Sequence, residues 1–276
     1  MLTRIITAIV ALCAFIPILI FSDTVAFPIA MALLSCIGAV ELLRCVGMKK
    51  ITFTAITVLI ALAVPMGARY IEDKLLLISA FFAVFFVYLI IILASSVFSK
   101  GQYDTAEAST TFTMVFYIVA SFSSIVLLRD SVYGTSLYLL AFLGPWMSDT
   151  MAYFCGRAFG KHKLIPNVSP KKTVEGSIGG ITFTGIAFAF YGYFMIDGAK
   201  TPLAIAVLFV MGVLVSVVSQ IGDLIASLIK RKYGIKDYGK LFPGHGGVLD
   251  RFDSVLITAP VILIIAEIAA RYNIFG

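Results

Sequence analysis

The sequence predicts an all-α protein, a polytopic integral membrane bundle of about nine transmembrane helices. Of its 276 residues, 61% are hydrophobic and 13% are charged, whereas soluble domains average about 45–50% and about 25%. Apolar stretches near the ~20 residues that cross a bilayer recur along the whole chain. Because backbone groups in lipid must be hydrogen-bonded within the protein, and no alternating barrel pattern is present, these stretches are predicted to be helices.

Nine apolar stretches define the predicted helices. They cover residues 5–21, 25–43, 51–66, 75–98, 112–128, 136–156, 174–196, 203–229 and 252–270. The first stretch has one positive charge ahead of it, Arg4, and no clear small-residue cleavage site. We therefore predict a transmembrane helix there rather than a signal peptide. Since no segment has the composition of a soluble domain, we expect a single membrane domain over residues 1–276.

The two halves of this domain differ in polarity. Residues 1–140 are apolar helices with short loops, a composition typical of a scaffold and of lipid-facing surface. From Gly144 onward, acidic residues occur inside apolar stretches, and two long basic loops are present. We therefore assign the catalytic half to residues 141–276.

Basic residues are concentrated on one side of the predicted bundle. With the N-terminus in the cytoplasm, Arg4 and the inner loops hold 16 of the 21 Lys and Arg residues. These loops are residues 44–50, 99–107, 157–173 and 230–251. The positive-inside rule then predicts an inner cell membrane protein whose N-terminus and active site are cytoplasmic. The basic loops would contact anionic membrane lipids rather than nucleic acid, because they adjoin the membrane.

The cysteines and histidines give no sign of a metal or redox motif. The four cysteines lie in or beside apolar stretches without C-x-x-C spacing. We interpret them as small buried hydrophobic residues. Two histidines without paired cysteines also argue against a structural zinc site.

Four aspartates lie within or at the edge of apolar stretches: Asp149, Asp223, Asp250 and Asp253. A carboxylate in the middle of a spanning helix costs roughly 2.5–3.5 kcal/mol, so we expect these side chains to converge on a cation near the cytoplasmic leaflet. Carboxylate oxygens without cysteine or histidine favour Mg²⁺, Mn²⁺ or Ca²⁺. Mg²⁺ held by one or two carboxylates and substrate phosphates fits best. For any single aspartate, the alternative is an ion pair with a nearby Lys or Arg.

The first basic loop ends in a predicted phosphate site. Ser169 and Pro170 resemble an N-cap and a first helical residue, which would place Lys171 and Lys172 in a first turn. The helix dipole disfavours cations there unless an anion is bound at the same helix end. The alternative is that both lysines extend to lipid phosphates. Glu175 is predicted to be a further metal ligand or the partner of a lysine.

The second basic loop combines cations with a glycine turn. Gly244, Gly246 and Gly247 allow the backbone to turn tightly and approach a ligand. His245 is predicted either to bond a phosphate or nucleotide or to stabilise the loop. Cationic side chains flank the turn: Lys230, Arg231, Lys236 and Arg251. Together with the aspartates, this pattern is typical of metal-assisted phosphoryl or nucleotidyl transfer.

The run SLIKRKYGIKDYGKLFPGHGGVLDRFD, residues 227–253, resembles the signature of phosphatidate cytidylyltransferases, also called CDP-diacylglycerol synthases. The segments SDTMAYFCGRAFGKHKLIPNVSPKKTVEGSIGG and QIGDLIAS are similar to the same family. The resemblance covers roughly residues 148–254. It implies that CTP and phosphatidic acid react to give CDP-diacylglycerol and pyrophosphate, by direct in-line attack without a covalent enzyme intermediate.

The resemblance also implies roles for individual residues and the presence of bound ions. Asp223 and Asp250 would hold the catalytic metal pair, with Asp149 and Asp253 nearby, and K⁺ is a possible cation beside Mg²⁺. Catalytic cations would be Lys171, Lys172, Lys236 and Arg251. Substrate-binding residues would be Ser169, Thr173, Lys230, Arg231, Asp237, Gly244, His245, Gly246 and Gly247. Members of this family are also expected to be homodimers.

Two other functions remain open on the sequence alone. A secondary transporter would also carry intramembrane acids and helices broken near glycines, but the acids here cluster with basic loops and no inverted repeat is visible. A CDP-alcohol phosphotransferase would carry a D-G-x-x-A-R…G-x-x-x-D-x-x-x-D arrangement, which the sequence lacks.

Overall fold

The computed structural model describes residues 2–48, 50–98, 104–166 and 168–276, and the side chains from residue 6 onward within them apart from residue 197. Parts of three predicted inner loops, Lys49, residues 99–103 and Asn167, lie outside the described residues, as does the side chain of Arg4.

Nine helices of 19 residues or more occupy most of the described chain, as the apolar stretches predict. They are α1 (Leu2–Ile20), α2 (Ala26–Val46), α3 (Ile51–Tyr70), α4 (Lys74–Phe98), α5 (Thr105–Asp130), α7 (Leu140–Phe159), α8 (Val174–Met195), α9 (Pro202–Lys232) and α10 (Leu249–Arg271). A four-residue helix, α6 (Gly134–Leu137), precedes α7, and a 3₁₀ turn (Asp197–Lys200) precedes α9. The all-α fold is therefore confirmed.

Seven of these helices are long and apolar enough to cross a membrane, counted over the described residues: α2, α3, α4, α5, α8, α9 and α10. The apolar part of α1 whose side chains are described, Ile6–Ile20, is shorter than a full span. Helix α7 is less apolar because it carries Asp149 and Arg157 among small polar residues. Seven full spans over the described residues confirm a polytopic membrane protein; the prediction of about nine also includes α1 and α7.

A short β-hairpin replaces the predicted helix start after α7. Strands β1 (Lys163–Ile165) and β2 (Ser169–Thr173) pair antiparallel, with Lys163 opposite Thr173. The prediction that Ser169 and Pro170 begin a helix is therefore wrong. Proline is tolerated in β2 because each strand of a two-stranded hairpin is an edge strand.

Helix α8 begins after Thr173 instead. The Thr173 backbone is extended, and its hydroxyl accepts the Gly176 N–H at 3.2 Å. A threonine serves both as a β-branched strand residue and as an N-cap. Lys171 and Lys172 consequently lie on a strand, and the helix-dipole argument for an anion beside them does not apply.

The chain forms two compact units, which interleave along the sequence. The first unit contains residues 1–126 and 233–251, and the second contains residues 127–232 and 252–276. The glycine loop and the first residues of α10 thus belong to the first unit. The hairpin, α7, α8, α9 and the rest of α10 belong to the second.

The first unit is built around α2 and α5. Several of their apolar side chains are wholly inaccessible: Phe27, Met31, Leu42, Ile118, Val119 and Phe122. Gly38 of α2 lies where a Cβ would be 3.1 Å from Leu249. This small residue lets the start of α10 pack closely against α2.

The second unit is built around α7, α8 and α9, whose close packing depends on glycine. A Cβ at Gly176, Gly180 or Gly212 would lie 2.6, 2.9 or 2.7 Å from a backbone oxygen of the adjacent helix. Small residues that allow such backbone approach are typical of helix packing in membranes. The packing brings the carboxyl-terminal part of α7, the start of α8 and the carboxyl-terminal part of α9 together.

Candidate active site

A cavity of about 300 Å³ lies in the second unit, between α7, α9, β2 and the start of α8. Its volume is at the lower end of the range for small-molecule sites. Polar and charged side chains line it: Asp149, Tyr153, Arg157, Lys171, Lys172, Thr173, Ser177 and Gln220. The structure therefore brings the SPKKT lysines and Asp149 to one site, as the sequence predicts.

An ion pair between Lys172 and Asp223 joins β2 to α9. The Lys172 Nζ atom lies 2.5 Å from Asp223 Oδ2. This nitrogen is inaccessible to solvent and, apart from the ion pair, has no hydrogen-bond partner in the described part of the chain. For Asp223, the structure thus realises the alternative that the sequence left open, a carboxylate paired with a lysine.

Two more carboxylates lie in the same electrostatic neighbourhood. Asp149 interacts with the charges of Lys172 and Asp223. Asp253 interacts with Asp223 and, more weakly, with Lys230 and Asp149. Three carboxylates thus share this part of the second unit with two ammonium groups, an arrangement that favours an additional cation.

The donor set fits a magnesium ion that substrate phosphates help to hold. Over the residues that the structure describes, no three His, Cys, Asp or Glu side chains form a group that encloses a metal ion. Mg²⁺ does not need such a group, because it is usually bound through one or two carboxylates, waters and phosphate oxygens. Asp149, Asp223 and Asp253 can supply those carboxylates.

A chain of polar side chains connects the three helices beside the cavity. The Ser148 and Ser216 hydroxyls lie 2.7 Å apart, and Gln220 Nε2 donates to Ser216 at 3.3 Å. The Ser177 hydroxyl donates to Gln220 Oε1 at 2.6 Å. Satisfied polar networks of this kind rigidify a bundle. The sequence reasoning missed these residues, because buried serines in apolar helices give no local signal.

Arg157 and Lys171 add positive charge to the cavity wall. Arg157 lies in the last turn of α7, and one of its guanidinium nitrogens donates to the Tyr153 hydroxyl at 3.3 Å. Lys171 is exposed on β2. With Lys172, these side chains give the cavity three cations, which suits a polyphosphate ligand.

Glu175 is paired with a histidine and not with the predicted lysine. Its two carboxylate oxygens each accept the His162 N–H at 3.2 Å, and one lies 2.6 Å from His162 Nδ1. The partner is therefore a histidine rather than a lysine. This contact fastens the residue before β1 to the first turn of α8.

Asp250 orders the glycine loop of the first unit. Its Oδ2 atom accepts the Tyr238 N–H at 2.7 Å and the Gly247 N–H at 3.0 Å, and the residue is only 7% exposed. Because the Gly247 N–H is bonded within the protein, it is not available to a phosphate in this conformation.

The turn itself is closed by backbone hydrogen bonds. Phe242 N–H donates to Gly246 O at 2.9 Å, and His245 N–H donates to Phe242 O at 2.8 Å. Gly246 has a φ of +89°, and a Cβ there would lie 2.6 Å from the Asp250 carboxylate. His245 Nδ1 is buried and has no hydrogen-bond partner among the described residues.

Glu41 of α2 is a buried carboxylate that the sequence reasoning missed. Its two oxygens accept the Val248 and Leu249 N–H groups, each at 3.0 Å, and the residue is 5% exposed. The signal was present, since Glu41 is an acid inside a predicted membrane helix, like the four aspartates.

The remaining predicted site residues are divided between the two units. Lys230 and Arg231 lie in the last turn of α9, in the second unit. Lys236, Asp237 and Arg251 are exposed in the first unit. Their substrate-binding roles, and the convergence of Asp250 with the other three aspartates, remain predictions.

Comparison with known proteins identifies the family of this chain. The family model described as "Cytidylyltransferase family" matches residues 2–269. A protein of Staphylococcus haemolyticus named phosphatidate cytidylyltransferase is 36% identical over 267 residues, covering 96% of this chain and 98% of that protein. Proteins of the same name from Staphylococcus saprophyticus and Staphylococcus aureus strain COL are 33% and 34% identical, with the same coverage. The chain belongs to the cytidylyltransferase family.

Proposed function

We propose that this protein is a CTP:phosphatidate cytidylyltransferase of phospholipid biosynthesis. It would transfer CMP from CTP to phosphatidic acid and give CDP-diacylglycerol and pyrophosphate. Relatives aligned over 96% of the chain carry that name. The observation that carries the proposal is the cavity itself, where the cations of β2 and α7 face carboxylates of α7 and α9.

The reaction needs no nucleophile from the protein. A phosphate monoester is already ionised at neutral pH, so the lipid phosphate oxygen can attack once it is aligned. In the proposed step, a phosphatidate oxygen forms a bond to the α-phosphorus of CTP. The bond from that phosphorus to the α–β bridging oxygen breaks, and pyrophosphate leaves with the electron pair. No covalent enzyme intermediate is formed.

The cavity cations would orient the two anionic substrates. Lys171, Lys172 and Arg157 line the cavity and would bind the triphosphate and the lipid phosphate. Fixed positive groups near the reacting phosphorus stabilise the charge that develops on the departing pyrophosphate. The Lys172–Asp223 ion pair holds the lysine in place before substrate binds.

We infer that Mg²⁺ is the resident cofactor and that K⁺ is a candidate for a second cation beside it. Asp223 would be the principal ligand, with Asp149 and Asp253 close to it. A role for Asp250 follows from the family resemblance. When bound, Mg²⁺ would neutralise phosphate charge and make pyrophosphate a better leaving group.

The membrane setting implies how the substrates arrive. CTP would enter from the cytoplasm, and phosphatidic acid would enter laterally from the inner leaflet of the cell membrane. The basic loops favour that sidedness. A homodimer is the expected assembly.

The decisive experiment follows labelled CTP with purified protein in phosphatidate-containing vesicles. With the label on the α-phosphate, we expect radioactivity in the extracted lipid and an equal amount of released pyrophosphate. With the label on the γ-phosphate, the lipid should stay unlabelled. Exhaustive chelation should stop both products, and added Mg²⁺ should restore them.

Two outcomes would contradict the proposal. Failure to label lipid from α-labelled CTP would refute the transfer reaction. Accumulation of a solute inside sealed vesicles without a lipid product would support the transporter alternative instead.

A further inference from the structure

The carboxylate of Glu41 lies directly against the glycine loop of the first unit. One oxygen accepts the Val248 N–H and the other accepts the Leu249 N–H. These are consecutive peptide groups at the start of α10, where backbone N–H groups have no partner within the helix. Glu41 is 207 residues from Val248 in sequence, so a distant helix fixes the entry of the chain into α10.

We propose that Glu41 is a positioning residue for the cytidylyltransferase reaction, which sets the glycine loop so that Asp250 keeps its reactive orientation. The inference rests on the proposed function and extends it to a residue of the N-terminal helices. Glu41 would not touch either substrate. It acts through the backbone that holds Asp250.

The two glycines that contact Glu41 support a direct backbone contact. A Cβ built on Gly239 or on Gly247 would overlap the Glu41 carboxylate. Gly247 is not among the glycines with positive φ, so close approach, rather than conformation, accounts for glycine there. The same explanation applies to Gly239.

Glu41 and Asp250 hold adjacent peptide groups. Gly247 N–H donates to Asp250 Oδ2, and the next N–H, that of Val248, donates to Glu41. A displacement of Val248 therefore moves the Gly247 N–H and with it the Asp250 carboxylate. This linkage is the physical route by which Glu41 influences Asp250.

The backbone donors at the start of α10 accommodate the negative charge of Glu41. A buried carboxylate is costly unless it is hydrogen-bonded, and here each oxygen has a backbone donor. The start of α10 also favours a negative group through the helix dipole. Arg44 adds a favourable charge interaction, which offsets part of the unfavourable one between Glu41 and Asp250. A glutamine would keep the size but would present an NH₂ group to one of the two N–H donors.

The first test replaces Glu41 in the full-length protein and measures kinetics. For Glu41→Gln, we expect kcat to fall and the Mg²⁺ concentration for half-maximal activity to rise, each by roughly 10-fold or more, as for groups that orient metal ligands. The KM for phosphatidate should change little. Ser35→Ala is the matched control, because Ser35 is a fully buried polar residue of the same helix.

A second readout does not depend on activity. Lys236 and Lys240 are exposed in the loop that precedes α10, so trypsin can report its order in detergent. We expect trypsin to cleave this loop faster in Glu41→Gln than in the wild type or in Ser35→Ala. The thermal unfolding temperature of the variant should be nearly unchanged. An inactive wild type would refute the proposed function, while the cleavage rates would still test the loop contact.

A coupling experiment covers the case in which Glu41→Gln fails to fold. Gly247→Ala should impair kcat because its methyl group meets the Glu41 carboxylate. The same substitution in a Glu41→Asp background should add little further loss, since the shorter side chain withdraws. Independent, multiplicative losses would overturn the proposal. So would a folded Glu41→Gln protein with wild-type kcat, Mg²⁺ dependence and cleavage rate.

Discussion

Asp223 and Asp250, to which the family resemblance assigns the metal, have opposite environments. Asp250 is 7% exposed and is held by two backbone N–H groups. Asp223 has a side chain that is 31% exposed and is held by the Lys172 ammonium. Backbone donors are fixed by the fold, whereas a lysine has a flexible side chain that can exchange one anion for another when a substrate binds. The first unit thus offers a rigid carboxylate, and the second offers one whose partner can leave.

Removing the charge of either aspartate should reduce turnover more than any other single substitution in the two units. We expect Asp223→Asn and Asp250→Asn each to lower it by at least about a hundredfold, because each removes a carboxylate to which the family resemblance assigns the metal. The measurement is CDP-diacylglycerol formation per folded protein in the membrane fraction. Glu72→Gln, on an exposed loop, is the charge-matched control and should be fully active.

Two substitutions of Asp250 test whether its backbone hydrogen bonds hold the loop in place. An asparagine oxygen at position 250 can still accept the Tyr238 and Gly247 N–H groups, so the loop should keep its resistance to trypsin. Asp250→Ala should lose that resistance, since unpaired buried donors cost about 1–3 kcal/mol. Near-normal activity in Asp223→Asn or Asp250→Asn would refute the metal role of that residue.

A smaller effect, on the KM for substrate, is expected when Lys172, the partner of Asp223, is removed together with its neighbour Lys171. The double variant Lys171→Ala and Lys172→Ala should raise the KM for CTP or phosphatidate by at least about tenfold, because even one hydrogen bond to a charged group contributes about 1.5–3 kcal/mol. Steady-state kinetics at saturating Mg²⁺ would show the change, with Lys200→Ala as an exposed lysine control. Unchanged KM and kcat would leave these lysines as ordinary membrane-facing cations.

The smallest effect is expected at Glu175. The described contacts of its carboxylate are with His162, so Glu175→Gln should change kcat by no more than a few-fold, because ion pairs at the surface contribute little. The Mg²⁺ concentration for half-maximal activity should not move. A large increase in that concentration would show instead that Glu175 is a metal ligand, which is one of the two roles that the sequence predicts.

The helices were predictable because each is encoded locally. A run of apolar residues long enough to cross a bilayer identifies a helix without reference to the rest of the chain. The helix start predicted at Ser169 and Pro170 was wrong, because a serine followed by a proline suits both a helix start and the edge strand that forms here. Thr173, the actual N-cap, was assigned only a substrate-binding role.

Part of the candidate site was predictable from residue type alone. Asp149, Lys171 and Lys172 line one cavity, as expected from acids and lysines placed beside apolar stretches. Glu41 was missed although it is an acid inside an apolar stretch, and its backbone partners, more than 200 residues away, could not have been predicted from the sequence. The reason for glycine at Gly247 was also hidden, since it depends on that same distant carboxylate.

The length of α9 bears on how a substrate dissolved in water and a substrate dissolved in the membrane reach the same site. Its 31 residues extend about 46 Å at 1.5 Å per residue, well beyond a hydrocarbon core of about 30 Å. Asp223 lies nine residues before the final residue of this helix, Lys232, so with that end cytoplasmic, as we propose, it would sit near the boundary between the hydrocarbon core and the lipid head groups. A water-soluble nucleotide and an oil-soluble lipid can therefore react there without either one leaving its own phase.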